Sequence, residues 1–201
     1  LPRRAFVTRL AAATASLLAG CAGRVATTRP RGFQLATFEV DVTVPMGHAL
    51  MGGGIVPAKE IGDGLHARGL VLMGGDKPIV IVSVEWCEIR NDAYEEWRSA
   101  LAHAAGTDPE RVLVSSVHVH DAPVADLGAE RLLRAQGGTA SVCDPAFHQE
   151  AVQRVATALR ESLRSAHAIT HIGAGQARVE QMASNRRYLL PDGKPAFDRM
   201  S

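Results

Sequence analysis

Ile79-Val80-Ile81-Val82-Ser83-Val84-Glu85 and, further on, Arg111-Val112-Leu113-Val114-Ser115-Ser116-Val117-His118-Val119-His120 frame the stretch that decides the fold. Between them Ala93, Trp97, Leu101 and Ala104 recur at helical spacing. Asn91 or Asp92 reads as the cap of this helix. Glu95 is placed to close a capping box from Asp92, and Gly106 supplies a left-handed stop. The order is strand, helix, strand, so the two strands are expected to lie parallel, joined by a right-handed crossover. Ile79 to Val82 is continuously apolar, as in a strand covered on both faces.

Upstream, Ala67 to Met73 reads as a strand and Gly74-Gly75-Asp76 as the turn that returns it to Ile79. Phe38 to Val44 reads as an earlier strand, ended by Pro45 and Gly47. Downstream, residues 121–143 are irregular, with a short helix around Glu130 to Ala135. Asp144 then caps a long helix that opens on Pro145 and buries Phe147, Ala151, Val155, Leu159 and Leu163 in steps of four. His148 sits one residue off that stripe and reads as a surface histidine. Ile169 to Val179 reads as a last strand, before Ser184-Asn185-Arg186-Arg187 and a turn at Asp192-Gly193. The fold class expected is α/β: a mixed β-sheet with a strand–helix–strand unit and flanking helices.

The chemistry concentrates where the second framing strand stops. Side chains two apart on an extended strand share a face, so His118 and His120 would look into one space, just before Pro123 forbids continuation in a sheet interior. Two such imidazoles are half of a catalytic zinc site, which takes three protein ligands and an open position. Read alone, they are equally a pair of ordinary loop histidines. Glu85 also lies at a strand's carboxyl end, where ligands of such sheets bind, which places all three at one cleft. The glycine-rich loop Met46-Gly47-His48-Ala49-Leu50-Met51-Gly52-Gly53-Gly54 lacks the spacing and the Lys-Ser/Thr pair of a phosphate loop. Its glycines serve close packing or form a ligand wall.

The chain opens with Arg3-Arg4 before a short apolar run, Leu10 to Gly20, too short to span a bilayer and ordered like an export signal. Leu18-Ala19-Gly20-Cys21 resembles a lipobox, with Cys21 as the residue lipidated. The expectation is a twin-arginine signal over 1–20, a tether over 21–36, and a periplasmic protein held to the envelope through Cys21. Residues 1–20 hold three arginines and no acid, so 22 basic residues fall to 19 against 21 acidic, a net charge of −2. With no basic stripe and only 4% aromatic residues, no nucleic-acid partner is expected. With Cys21 lipidated, Cys87 and Cys143 remain, and one bridge between them is open.

Taken in order, several motifs resemble the N-terminal part of the neutral/alkaline non-lysosomal ceramidase family. They are Asp41-Val42-Thr43-Val44-Pro45-Met46-Gly47, Met51-Gly52-Gly53, Gly64-Leu65-His66-Ala67-Arg68-Gly69-Leu70-Val71-Leu72, Ile81-Val82-Ser83-Val84-Glu85, the His118-Val119-His120 strand, and Ser184-Asn185-Arg186-Arg187. The resemblance spans residues 38 to 200. It implies a zinc-dependent hydrolase of N-acyl amide bonds, working through a metal-activated water on a small-molecule or lipid substrate. His118 resembles the first zinc ligand and His120 a neighbouring catalytic histidine. Arg186 resembles the family's arginine, Gly52 an active-site glycine, and Glu85 stands where an aspartate is common, as a substrate-binding residue. The family usually has threonine between the histidines and serine after them, where this chain has Val119 and Asp121. Its other zinc ligands and its serine belong to later segments, so residues 37–201 are expected to be the N-terminal part of an incomplete domain. Two other readings remain: a metal amidohydrolase barrel, which also carries His-x-His on a strand, and an envelope lipoprotein with a non-catalytic binding domain.

Overall fold

In the computed structural model, which describes residues 32–180 and 187–197, the expected hairpin forms. Strands β1 (Gln34–Asp41) and β3 (Ile79–Val84) each pair antiparallel with β2 (His66–Met73) between them, and Gly74 takes φ 137° at the β2–β3 turn. Helix α1 (Asn91–Ala105) then leads to β5 (Val112–Ser116), which pairs parallel with β3 from Val80↔Val112 to Val84↔Ser116. Short strands β4 (Glu88–Ile89) and β6 (Val124–Ala125) pair with each other beside this unit. Helices α2 (Leu127–Ala135) and α3 (Pro145–Ser162) follow, and β7 (His167–Ala168) closes the sheet against β1. The order β5-β3-β2-β1-β7 is an open mixed sheet, as the strand–helix–strand reading required, and not a closed barrel.

Alternation along the strands assigns the two faces. Ala36, Phe38, Ala67, Val71, Val80, Val82, Val84, Val112 and Val114 are buried on one side, where α1 packs on β3 and β5 and α3 packs on β1, β2 and α1. Trp86 and Trp97 meet edge to face there, centroids 5.6 Å apart, and Trp86 Nε1 donates to Val42 O at 3.0 Å. Within residues 32–169 no element covers the other face. Ile79, Ile81 and Leu113 on it are 38–54% exposed. The apolar run at Ile79 thus marks a strand covered on one side, against the expectation of two.

Other boundaries also moved. β1 starts at Gln34 and stops at Asp41, earlier than expected, because it pairs along all of β2 and Asp41 Oδ1 then accepts the Thr43 N–H at 2.8 Å and turns the chain. The capping box on α1 does not form. Arg90 stands at the N-cap without a side-chain bond, Asn91 (φ 48°) donates to Asp126 Oδ2 at 2.9 Å, and Asp92 and Glu95 pair with Arg131 and Arg98. Gly106 does end the helix in the left-handed region (φ 67°), and Asp144 caps α3 by accepting from Ala146 N and Phe147 N.

His148 is the clearest correction: it is 2% exposed. Because α3 touches both the sheet and α1, its buried stripe is two residues wide, pairing Phe147 with His148, Ala151 with Val152 and Val155 with Ala156. The stripe in steps of four was one edge of it. The strand expected over Ile169 to Val179 is also absent. Ile169 N donates to Phe33 O at 2.7 Å, after which residues 170–180 take no regular form, and Ile172 (86% exposed) has no surface to bury against. From Thr170 onward the chain forms a separate compact unit containing the hairpin β8 (Arg187–Leu189) and β9 (Pro195–Phe197). Among the described residues no helix is long and apolar enough to cross a membrane.

Candidate metal centre

β5 stops at Ser116, short of the histidines. Val117 N still donates to Val84 O at 3.1 Å, but His118 turns left-handed at φ 64°, and its own N–H goes to Trp86 O at 3.1 Å. Strand alternation therefore does not bring the two histidines together. The kink does: their rings lie 5.1 Å apart, edge to face at 84°. A non-glycine residue at positive φ costs on the order of 1 kcal/mol or more, and such strain gathers at sites whose surroundings over-determine the geometry.

Those surroundings are the residues just past β3. Cys87 N donates to Pro123 O at 3.0 Å, and Glu88 opens β4 against β6, so the stretches 86–88, 117–118 and 123–125 are knit by backbone bonds. His118 Nδ1 lies 3.1 Å from Cys87 O, 3.6 Å from Glu88 Oε1 and 3.7 Å from Cys87 Sγ. Cys87 is 1% exposed, whereas the His118 side chain is 59% exposed, so the cluster has a buried floor and an open rim. Burial and then the Glu88 charge push the Cys87 thiol up. Glu88 also ion-pairs with Arg90 through Oε2, which leaves Oε1 toward His118. Thiolate, carboxylate and imidazole together make a donor set suited to zinc, and the three ligand atoms fall within 4.8 Å of one another.

The other expected site residues are distributed as follows. His120 is exposed beside His118. Glu85 takes the His66 N–H at 2.7 Å and pairs with Arg68, which also reaches Glu39 at 3.0 Å. Burial alone would raise its carboxyl, but the His66 N–H and Arg68 outweigh it and hold it below the usual range. It thus belongs to an ion network with β1 and β2, while Cys87 and Glu88 are the groups at His118. Gly52 (φ 63°) lies in a single 3-10 turn, Met51–Gly53, packed against Val124, with Met51 N donating to Ala122 O at 2.9 Å. That places the glycine loop beside the segment following His120. Arg186 and Cys21 lie outside the described residues. Cys87 and Cys143 are both buried and free, so the open bridge is not made.

Two concavities flank this region. A groove of about 540 Å³ is bordered by Val119 and Asp121 of the histidine loop, with Val44, Leu50, Ile55 and Leu65 on one part of its wall and Lys59, Glu60 and Asp63 on another part of its lining. A larger one, about 760 Å³, is lined by His48, Glu130, Arg134, Ser141 and Cys143, and His118 is not part of it. Its polar groups serve the fold. Glu130 accepts from Val142 N (2.7 Å), Cys143 N and Arg134, while His48 bonds Ala49 O and accepts Asp144 N–H. The smaller groove is therefore the one that borders the chemistry.

The sequence matches no family model and no curated protein. Solved structures share its fold, two ceramidases among them. One is a neutral ceramidase from Pseudomonas aeruginosa, at TM-score 0.51 and 12% identity. The other is a ceramidase complexed with C2, at TM-score 0.51 and 14% identity. Each comparison covers 68% of this chain and 22% of the other, so this chain corresponds to about a fifth of the length of those enzymes. The fold built around β5 and its histidine loop is a ceramidase-like fold.

Proposed function

We propose that the chain belongs to a zinc-dependent hydrolase of N-acyl amide bonds, with a ceramidase-like substrate carrying an acyl chain. The observation that carries this reading is the convergence of His118 with Cys87 and Glu88 at the end of β5, in a fold shared with ceramidases. When bound, zinc supplies a Lewis acid for the amide carbonyl and lowers the pKa of water to about 7. His118 holds the ion. His120, exposed and with its ring 5.1 Å from that of His118, would take a proton from the attacking water and deliver it to the nitrogen as the C–N bond breaks, leaving a carboxylate and a free amine. Arg186 is the residue that the resemblance would assign to stabilising the developing oxyanion. The groove lined by Val44, Leu50 and Ile55 suits the acyl chain, and Gly52 shapes its approach. Glu85, paired with Arg68, orders the sheet end on which this stands. We further propose export and anchoring to the envelope through lipidated Cys21, which would put the site at a membrane surface.

The test is hydrolysis of a fluorogenic N-acyl sphingosine and of a simpler N-acyl amine by the zinc-loaded product of the extended coding sequence, with metal content measured in parallel; residues 22–201 alone are expected to turn over neither substrate. His118→Ala is expected to lose both metal and turnover. His120→Ala is expected to keep the metal and lose about 10²–10⁴-fold in turnover. Release of neither amine, or equal rates for wild type and His118→Ala, would overturn the reading.

A further inference from the structure

We propose that Cys87 and Glu88 are direct ligands of the ion held by His118, forming a three-ligand Cys-Glu-His centre within residues 87–118 in place of the later-segment ligands that the resemblance implied. The inference rests on the metal half of the reading above and is independent of the reaction.

The spacing carries it. With ordinary zinc bond lengths of about 2.3 Å to sulfur and about 2.0–2.2 Å to nitrogen and oxygen, tetrahedral ligand atoms lie about 3.3–3.6 Å apart. Cys87 Sγ and Glu88 Oε1 stand 3.7 and 3.6 Å from His118 Nδ1, close to those edges before any ion draws them in. The backbone holds the triangle. His118 N on Trp86 O and Cys87 N on Pro123 O fix the two ligand-bearing stretches against each other, and the left-handed turn at His118 aims Nδ1 back at them. Charge closes the account, since one thiolate and one carboxylate neutralise a divalent cation. The 59% exposure of the His118 side chain leaves a fourth position open to solvent, the mark of a catalytic rather than structural zinc.

One group competes for Nδ1. Cys87 O, at 3.1 Å, can accept its proton, which would leave the ring to bind metal through Nε2 and make Cys87 and Glu88 orienting neighbours only. The two arrangements differ in whether sulfur touches the metal, and cobalt reads that directly.

Metal-free protein is titrated with cobalt(II) chloride and followed by its near-ultraviolet thiolate-to-cobalt charge-transfer band. The expected result is stoichiometric binding with the band present. Cys87→Ser is expected to lose the band, whereas Cys143→Ser and Cys21→Ser keep it. Glu88→Gln and Cys87→Ser are each expected to weaken cobalt by more than about 100-fold, beyond the about 10–100-fold typical of an orienting neighbour. X-ray absorption on zinc-loaded wild type needs no variant and is expected to show one sulfur at about 2.3 Å. Stoichiometric binding without a thiolate band or a sulfur shell overturns the inference and leaves a His118-held metal in place. Failure to bind cobalt or zinc stoichiometrically overturns both.

Discussion

Acidifying the protein should weaken it well before its carboxylates titrate, because of His148. The side chain is 2% exposed, between Trp86 (ring centroids 6.3 Å apart) and α1, and neither ring nitrogen makes a hydrogen bond of ordinary geometry. Burial, against a smaller opposite pull from the Ala93 backbone, takes its pKa from 6.5 to about 4. Glu96 is the carboxylate facing it, with Oε2 3.4 Å from Nδ1, but Glu96 is half exposed and offers weak compensation. A base with a lowered folded-state pKa binds protons more readily when unfolded. Its contribution to stability is therefore complete above pH 6.5 and falls as the pH drops toward 4. At 1.36 kcal/mol per pKa unit, the full loss is about 3 kcal/mol, of which about 2 kcal/mol is already gone at pH 5. That is a large part of the 5–15 kcal/mol typical of a whole domain.

Urea denaturation at pH 7.5 and pH 5, on wild type and His148→Leu, measures this with the rest of the protein as its own control. Wild type should lose about 2 kcal/mol more than the variant across that interval. Proton NMR of the His148 ring should show no titration near 6.5. Parallel pH dependence in the two proteins, or a His148 ring titrating at the ordinary histidine value, would refute the argument.

Gly69→Ala should cost about 1–3 kcal/mol in the same assay, since a β-carbon there would lie within the ring of Phe38, its cross-strand partner on the covered face. An unchanged midpoint would mean that Phe38 packs elsewhere. Labelling of growing cells with a palmitate analogue should mark the wild type and not Cys21→Ala, and equal labelling would end the proposal of a lipid anchor.

How much of the fold was legible depended on where periodicity is set by one neighbour alone. β2 and β3 each meet one buried surface, so alternation located them to within a residue or two; the start of β5 at Val112 was also found, though the strand stops at Ser116 and not at His120, and Gly106 and Asp144 marked ends through purely local geometry. His148 failed because α3 has two neighbours, and a stripe facing two surfaces is wider than one drawn from every fourth residue. The capping box expected at the start of α1 failed because Asp92 and Glu95 found arginine partners, and a capping box has no hold on side chains that a stronger charge engages. Ile169 to Val179 failed for lack of a partner strand. Alternation supplies a candidate strand, and only a neighbouring edge makes it one.

The candidate site shows the same division more sharply. His118 and His120 were visible as a pair because their separation in sequence is short, though the reason given, a continuing strand, was not the one the chain uses. Cys87 and Glu88 carried no signal of their own, being a buried-type thiol and one acid among many. What could have found them was the parallel register. If β3 and β5 run side by side from Val80↔Val112 to Val84↔Ser116, then residues a few places past each strand must meet, and Cys87 and Glu88 stand to Val84 much as His118 stands to Ser116. Glu85 drew attention for being the first residue past the strand. Its side chain instead follows the pleat onto the face of Glu39 and Arg68, opposite to buried Val84 and Trp86. Past the last ladder bond the chain is free of the pleat, and it is there, from Trp86 O and Pro123 O inward, that backbone bonds steer the thiol and the carboxylate under the imidazole. A cluster at the end of a parallel pair is thus assembled by residues the strand pattern no longer governs, which is why pattern alone reached the sheet and stopped one step short of Cys87 and Glu88.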